Sequence, residues 1–219
     1  MDSFRFTTVG FDLDGTLLDT SRDLGAAVNH ALSLAGRAPV PHERVSGLIG
    51  GGARLMLNRA LDLTGGSAGI DPEALFAELL TYYAANIAVH TGPYPGTLAM
   101  LDQLAAQGVK LAVVTNKREA MTRALLDALG LTDRFACIIG AGTYLLKPAP
   151  AALNAMVVQC GGGAAAFVGD TTFDIGAARA AGLPSIAVSF GFCDAPPHEL
   201  GADAVIDHFD QLIPALTRL

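Results

Sequence analysis

Short apolar runs alternate with helical patterns along most of the chain. The runs rich in β-branched or aliphatic residues are 7–11, 110–115, 137–140, 166–168, 185–189 and 204–206. Helical patterns lie between several of them, at 97–106, 118–129, 151–160 and 174–181. Apolar strands that alternate with helices are typical of a parallel sheet covered on both faces. The pattern predicts an α/β fold with a Rossmann-like parallel sheet core.

The alternation is interrupted after the first run, because the pattern from about residue 19 to residue 90 is helical only. Thr20 or Ser21 can cap a first helix that ends at Gly36. A second helix is predicted over 53–63, and a third begins with Asp71 as N-cap and Pro72 at its first position. We therefore expect an inserted all-helical cap domain at 19–90, within a core domain of 1–18 and 91–219.

Composition limits the partners of the protein. The chain has 219 residues, 51% of them hydrophobic, so a sizeable core can form. Its net charge of −7 argues against nucleic acid as a partner, because no basic surface is available to neutralise phosphates. A small anionic substrate would need positive charge from a metal ion, a lysine or backbone amides.

The cysteines and the apolar segments bear on location. The three cysteines are widely spaced and form no C-x-x-C pair, which favours reduced thiols in a cytoplasm. The opening MDSFRF lacks the regions of a signal peptide. The uncharged stretch 148–169 contains prolines and three consecutive glycines, so it does not resemble a membrane span. We expect a cytoplasmic protein without a membrane partner.

Polar residues follow the ends of the predicted strands. They are Asp12 and Asp14 after the first strand, Thr115, Asn116 and Lys117 at the end of the second, Lys147 after the third, and Asp170 with Asp174 after the fourth. Because the carboxyl ends of parallel strands lie along one edge of a sheet, these side chains should converge. Singly, each has an ordinary structural explanation as a turn, a helix cap or a solvated charge; together they indicate a site.

Three acids at one place, Asp12, Asp14 and Asp170, would repel one another strongly. A hard divalent cation removes that repulsion, and Mg²⁺ binds carboxylate oxygens together with water and substrate phosphate. A calcium-binding EF-hand loop is excluded, since it would need a glycine at Leu17 and a glutamate at Asp23. The pattern predicts a Mg²⁺ site.

Four segments of the sequence, FDLDGT, VVTNK, LLKP and FVGDTTFD, resemble the four motifs of the haloacid dehalogenase-like phosphohydrolases. The resemblance covers essentially the whole chain, including a helical cap inserted after the first motif. The segments TNK and VSGLIGGG are most similar to the phosphoglycolate phosphatase branch of that family. The resemblance implies a phosphomonoester hydrolase for a small phosphorylated metabolite, with 2-phosphoglycolate as the expected substrate.

The resemblance also implies roles for residues of the core. Asp12 would be the nucleophile that forms an aspartyl-phosphate, and Asp14 the acid that protonates the leaving alcohol and then the base that activates water. Thr115 and Asn116 would hold phosphoryl oxygens. Lys147 would neutralise charge on the phosphoryl group and the nucleophile.

The implied metal ligands are the Asp12 carboxylate, the Asp14 main-chain carbonyl and Asp170. Asp174 would order the metal site or Lys147. One departure from the family pattern concerns the loop 140–144, which lacks the acidic residue that relatives often carry before the lysine. The chemistry should survive this change, while loop positioning and substrate preference are less constrained.

The cap stretch GLIGGGAR, 47–54, is a candidate specificity element. Gly51 would let the backbone approach a ligand, and Arg54 would pair with a substrate carboxylate. The alternative is a flexible turn with a solvated arginine.

Two other functions stay open from the sequence. A sugar phosphomutase would need a cap that retains a bisphosphate and excludes water. A non-enzymatic phospho-receiver also pairs acids with a threonine and a lysine on a parallel sheet, but it is much shorter and has no place for the insert. A dehalogenase is disfavoured, because it does not need the metal that the carboxylates imply. The expected assembly is a monomer or a homodimer.

Overall fold

A six-stranded parallel sheet forms the centre of the protein, as seen in a computed structural model that describes residues 4–219. The strands of the chain are β1 (Thr8–Phe11), β2 (Leu18–Asp19), β3 (Gly92–Pro93), β4 (Lys110–Arg118), β5 (Cys137–Ala141), β6 (Ala165–Gly169), β7 (Ser185–Val188) and β8 (Ala204–Ile206). The helices are α1 (Ser21–Leu34), α2 (His42–Val45), α3 (Ala53–Leu63), α4 (Pro72–Ala85), α5 (Thr97–Ala106), α6 (Glu119–Ala128), α7 (Ala151–Gln159), α8 (Thr172–Ala181) and α9 (Leu212–Arg218).

The strand order of the large sheet is β5-β4-β1-β6-β7-β8, and every neighbouring pair is parallel. The chain builds outward from β1 in both directions, so the strand order reverses there, and ligands of open α/β sheets bind at such a reversal. Both faces of the sheet are buried. Along β4, Leu111 and Val113 pack into one hydrophobic layer, whereas Ala112 and Val114 pack into the opposite one. The predicted α/β class with a parallel sheet is confirmed.

The helices between β2 and β3 have a hydrophobic core of their own, to which α1, α3 and α4 contribute Val28, Leu57 and Leu79. The chain enters and leaves this helical segment through the antiparallel pair β2–β3. Asp23, in the first turn of α1, connects the start of the helical segment to its end, because its carboxylate accepts hydrogen bonds from the main-chain N–H groups of His90 and Thr91. The boundary predicted after residue 18 falls within β2, and the other, before residue 91, lies next to β3.

Most predicted elements agree with the observed ones to within one or two residues. The N-cap of α4 is Asp71, whose carboxylate accepts hydrogen bonds from the N–H groups of Glu73 and Ala74. The largest difference is β4, which continues through Arg118, three residues past the predicted strand end. The short α2 and the C-terminal α9 were not predicted. Within residues 4–219, no helix combines the length and apolarity that crossing a bilayer requires.

Candidate active site

The ammonium group of Lys147 lies at the centre of the polar cluster at the carboxyl edge of the sheet. Its Nζ donates hydrogen bonds to Asp12 Oδ1 at 2.6 Å, to Asp174 Oδ1 at 2.5 Å and to the Val114 carbonyl at 2.9 Å. These three acceptors use all three protons of the ammonium group. All of these groups are buried. The predicted convergence of segments from different strands is therefore observed for Asp12, Lys147 and Asp174.

Asp170 completes a cluster of three buried carboxylates. One oxygen each of Asp12, Asp170 and Asp174 can be chosen so that all three lie within 4.8 Å of one another. Asp170 accepts hydrogen bonds from Thr16 Oγ1 at 2.9 Å and from the Phe192 N–H at 2.8 Å. Neither Thr16 nor Phe192 was expected from the sequence, because neither stands in the pattern of charged strand ends.

The cluster carries more negative than positive charge, with three carboxylates against one ammonium group. Burial raises the pKa of Asp12 to about 6; Lys147 opposes this rise, and Asp174 and Asp14 add to it. Burial, together with Asp174 and Asp12, raises the pKa of Asp170 well above its ordinary value. A set of hard oxygen donors with excess negative charge fits a divalent cation such as Mg²⁺.

Two glycines allow the backbone to pack closely against the side chain of Asp170. Gly15 has a φ of +89°, and a Cβ atom at this position would overlap Asp170 Oδ2. A Cβ atom on Gly191 would overlap the Cβ atom of Asp170. Glycine is therefore required at position 15 both by the left-handed backbone and by the close approach.

Asp14 is held by a lysine to which the sequence pattern gave no role. Lys117 Nζ donates to both carboxylate oxygens of Asp14, at 2.5 and 2.7 Å. Lys117 is buried, and its Nζ lies 4.9 Å from the ring centre of Tyr83 on α4. Burial lowers the pKa of Lys117, but the Asp14 carboxylate outweighs this effect, so the pKa lies above its usual range. The extension of β4 past Thr115 places Lys117 here.

Asn116 and Thr115 lie directly before Lys117 in β4. Asn116 Oδ1 accepts the Lys147 N–H at 2.8 Å, and its Nδ2 donates to the Lys147 carbonyl at 3.1 Å. Thr115 Oγ1 accepts the Lys117 N–H at 3.2 Å. Contacts of these two residues with phosphoryl oxygens stay a prediction, while the side chain of Asn116 already has a structural partner.

Asp174 links the cluster to the start of α8. Its Oδ1 binds Lys147, and its Oδ2 accepts hydrogen bonds from the N–H and the hydroxyl of Thr171. Thr171 and Asp174 form a reciprocal capping box at the first turn of this helix. The carboxylate therefore has a fixed orientation, which agrees with the predicted ordering of Lys147.

A cavity of about 180 Å³ lies beside this cluster, between the sheet edge and the helical segment. Asp12, Asp14 and Thr115 line it on the sheet side, and much of the opposite wall is apolar. The apolar residues there include Leu24, Ile49, Met56, Phe76, Leu79 and Tyr83. A site with this shape accepts a small molecule whose polar groups meet the sheet edge.

The two residues predicted to bind substrate from the helical segment, Gly51 and Arg54, both line this cavity. A Cβ atom on Gly51 would overlap a terminal methyl group of Leu55. The Arg54 guanidinium donates two hydrogen bonds of 2.7 Å to the Glu73 carboxylate and lies 3.9 Å from the ring centre of Phe76. Arg54 already has an anionic partner, and its contact with a substrate carboxylate remains a prediction.

Residues 9–188 match the family model of the haloacid dehalogenase-like hydrolases. The chain belongs to this family. It is 43% identical over 212 residues to a phosphoglycolate phosphatase of Agrobacterium fabrum, covering 94% of this chain and 90% of that protein. It is also 40% identical over 206 residues to a phosphoglycolate phosphatase of Mesorhizobium japonicum, covering 92% and 91% of the two chains.

The fold has a close counterpart among solved structures. A crystal structure described as a predicted phosphoglycolate phosphatase from Haemophilus somnus has a TM-score of 0.89 and 30% sequence identity, with 95% of this chain and 97% of that chain covered. These findings confirm the enzyme class predicted from the sequence, a phosphatase, and the resemblance to phosphoglycolate phosphatase.

Proposed function

We propose that this phosphatase hydrolyses 2-phosphoglycolate to glycolate and inorganic phosphate, with Mg²⁺, through an aspartyl-phosphate formed on Asp12. The observation that carries the proposal is the position of Lys147 Nζ, which bridges Asp12 and Asp174 beside the cavity at 2.6 and 2.5 Å. The identity with phosphoglycolate phosphatases over nearly the whole chain supports the choice of substrate.

In the first step, the Asp12 carboxylate attacks phosphorus and the bond from phosphorus to the bridging oxygen breaks. Lys147 keeps the nucleophile in place and offsets charge on the phosphoryl oxygens, which is the main requirement of phosphoryl transfer. Asp14 gives a proton to the leaving alkoxide, so that glycolate departs as an alcohol. Thr115 and the backbone near Asn116 supply further donors to the phosphoryl oxygens.

In the second step, Asp14 accepts a proton from a water molecule that attacks the phosphorus of the aspartyl-phosphate. The acyl-phosphate bond breaks, Asp12 is regenerated as a carboxylate, and inorganic phosphate leaves. A carboxylate nucleophile thus divides the hydrolysis into two displacements.

The cluster of carboxylates suits Mg²⁺ by its donor chemistry and by its excess charge. The proposed ligands are the carboxylates of Asp12 and Asp170 and the main-chain carbonyl of Asp14. When bound there, Mg²⁺ supplies positive charge to the transferring phosphoryl oxygens. Asp174 orients Lys147 and the turn that carries Asp170, because its two oxygens bind Lys147 and Thr171.

We further propose that residues 19–90 act as a cap over the core formed by 1–18 and 91–219. The support is the location of the cavity, which residues of both parts line. The free thiols of Cys137, Cys160 and Cys193 agree with the proposed cytoplasmic location.

A phosphate-release panel tests the proposal. It contains 2-phosphoglycolate, sugar phosphates and nucleotides, each with Mg²⁺ and with a chelator, and products are identified as well as counted. We expect Mg²⁺-dependent release of phosphate and glycolate, with the highest kcat/KM for 2-phosphoglycolate. Transfer of phosphate to a second sugar position would instead indicate a phosphomutase, and equal activity on all substrates would contradict the specific substrate.

A further inference from the structure

The carboxylate of Asp14 is fully engaged in this structure. Lys117 Nζ donates to both of its oxygens, at 2.5 and 2.7 Å, and only 13% of the Asp14 side chain is exposed. A general acid must place a protonated oxygen within hydrogen-bond distance of the leaving group. While one ammonium group binds both oxygens of Asp14, neither oxygen is free to contact the leaving group.

Lys117 lines the cavity where substrate would lie. Apart from its two bonds to Asp14, its ammonium group lies 4.9 Å from the ring centre of Tyr83. Tyr83 belongs to α4, so the Lys117–Asp14 pair lies where the sheet edge meets the helical segment. Lys117 can therefore exchange one anionic partner for another without leaving the cavity.

The shape of the proposed substrate brings a second anion to this place. In 2-phosphoglycolate, a single methylene carbon separates the bridging oxygen from the carboxylate. If the bridging oxygen meets Asp14, the substrate carboxylate must lie beside the group that binds Asp14. That group is Lys117.

We propose that Lys117 determines substrate specificity by exchange of ion-pair partners, in which the substrate carboxylate takes the ammonium group from Asp14 and leaves the Asp14 oxygens free to contact the bridging oxygen. This inference rests on the proposed function. Lys117 is then a specificity and positioning residue: it binds the part of the substrate that does not react, and it leaves the Asp14 oxygens unoccupied only when that part is present.

The arginines that line the cavity, Arg54 and Arg118, are less suited to binding the substrate carboxylate. Arg54 is paired with Glu73. Arg118 also lines the cavity, but it is exposed and lies 5.4 Å from the Phe76 ring centre. Since Arg54 is paired with Glu73, Arg118 is the alternative to Lys117 as the group that binds the substrate carboxylate.

The test compares 2-phosphoglycolate with ethyl phosphate, which has the same two-carbon skeleton and no carboxylate. The kcat and KM of both are measured for the wild type, Lys117→Met, Arg118→Met and the control Arg123→Met, which removes an exposed arginine one turn along α6 that does not line the cavity. We expect the wild type to prefer 2-phosphoglycolate by about 10²-fold in kcat, the size of a general-acid contribution.

In Lys117→Met, that preference should fall to a few-fold, because kcat for 2-phosphoglycolate drops much further than kcat for ethyl phosphate. Arg118→Met and Arg123→Met should keep the preference. If Lys117 serves folding alone, Lys117→Met should lower kcat for both substrates equally, and that result would overturn the inference. Loss of the preference in Arg118→Met would overturn it as well. Absence of turnover in the wild type would contradict the proposed function instead.

The wild type alone provides a second test that does not depend on the folding of a variant. Acetate added in trans should accelerate hydrolysis of ethyl phosphate, because it can take the place of the substrate carboxylate on Lys117. Sodium chloride at the same ionic strength is the control. No acceleration by acetate beyond that of chloride would overturn the exchange of partners.

Discussion

The side chain of Asn116 forms two hydrogen bonds with the main chain of Lys147, although 31 residues separate them in sequence. It accepts the Lys147 N–H at 2.8 Å and donates to the Lys147 carbonyl at 3.1 Å, and both bonds are buried. The loop that carries the central ammonium group is therefore fixed to the end of β4. We expect the orientation of Lys147 Nζ toward Asp12 to depend on these two hydrogen bonds.

Replacing Asn116 by alanine should lower both stability and activity. The buried N–H and carbonyl of Lys147 would lose their partners, which costs about 1–3 kcal/mol. Displacement of the ammonium group by a fraction of an ångström to an ångström should lower kcat on the order of 10²-fold. Urea unfolding and phosphate release measure the two effects.

Asn29, in the helical segment, offers a matched control. Its side chain accepts the Val40 N–H at 2.7 Å and donates to the Val40 carbonyl at 2.9 Å. Asn29→Ala should lose a similar free energy of unfolding and keep its activity per folded molecule. Equal losses of activity in both variants would mean that the hydrogen bonds of Asn116 with Lys147 do not position the catalytic lysine.

Mg²⁺ should stabilise the protein through the buried carboxylates. A ligand that binds only the folded state at 100 times its Kd adds about 2.7 kcal/mol to the free energy of unfolding. Asp170→Asn should abolish most of this gain, whereas Asp133→Asn, at an exposed position, should keep it. Thermal unfolding with and without Mg²⁺ tests this, and an unchanged Mg²⁺ response in Asp170→Asn would contradict the proposed ligand set.

The metal-free protein should lose stability as the pH rises from about 4 to about 6. Burial raises the pKa of Asp12 from 3.8 to about 6, so the folded state holds a proton that the unfolded state releases in this range. The stabilising effect is complete below pH 3.8 and is lost as the pH passes about 6. Two pKa units correspond to on the order of 3 kcal/mol.

Chemical unfolding at several pH values, in chelator, measures this contribution of Asp12. The comparison is Asp12→Asn, in which the part of the pH dependence due to Asp12 should disappear. Identical pH profiles for the wild type and the variant would show that Asp12 does not carry the raised pKa.

Gly15→Ala should lower Mg²⁺-dependent activity more than Gly36→Ala does. Gly15 and Gly36 both have positive φ, at +89° and +65°, but only at position 15 would the added Cβ atom overlap Asp170. Gly36→Ala, with no neighbouring atom within 4 Å, reports the backbone strain alone. We expect loss of Mg²⁺-dependent activity in Gly15→Ala and retention in Gly36→Ala; equal activity in both would contradict the close approach.

Much of the fold could be predicted, because the strands are apolar on both faces and alternate with capped helices. Asp71 and Pro72 marked the start of α4 correctly, and α5 has the predicted bounds. The short β2–β3 pair was missed because two residues on each side give no periodic signal. The end of β4 was missed because Asn116 and Lys117 are polar yet buried, whereas polar residues usually mark the end of a buried strand.

The clustering of charged residues that follow strands was predictable, as with Asp12, Lys147, Asp170 and Asp174. The pairing of those charges was not predictable, since it depends on side-chain direction in three dimensions. Lys117 stood in the sequence beside Thr115 and Asn116, but nothing there indicated that its partner is Asp14. The contact of Phe192 with Asp170 comes from a main-chain N–H group, which carries no signal in residue type.

Capture of the covalent intermediate tests the role of Asp12 most directly. The enzyme is mixed with Mg²⁺ and 2-phosphoglycolate labelled in its phosphoryl group, quenched in acid within milliseconds, and the labelled peptide is identified by mass spectrometry. We predict label on the peptide that contains Asp12, formed and lost at rates consistent with kcat, and no label or turnover in Asp12→Asn. Turnover that persists in Asp12→Asn, or label on a different residue, would contradict the mechanism.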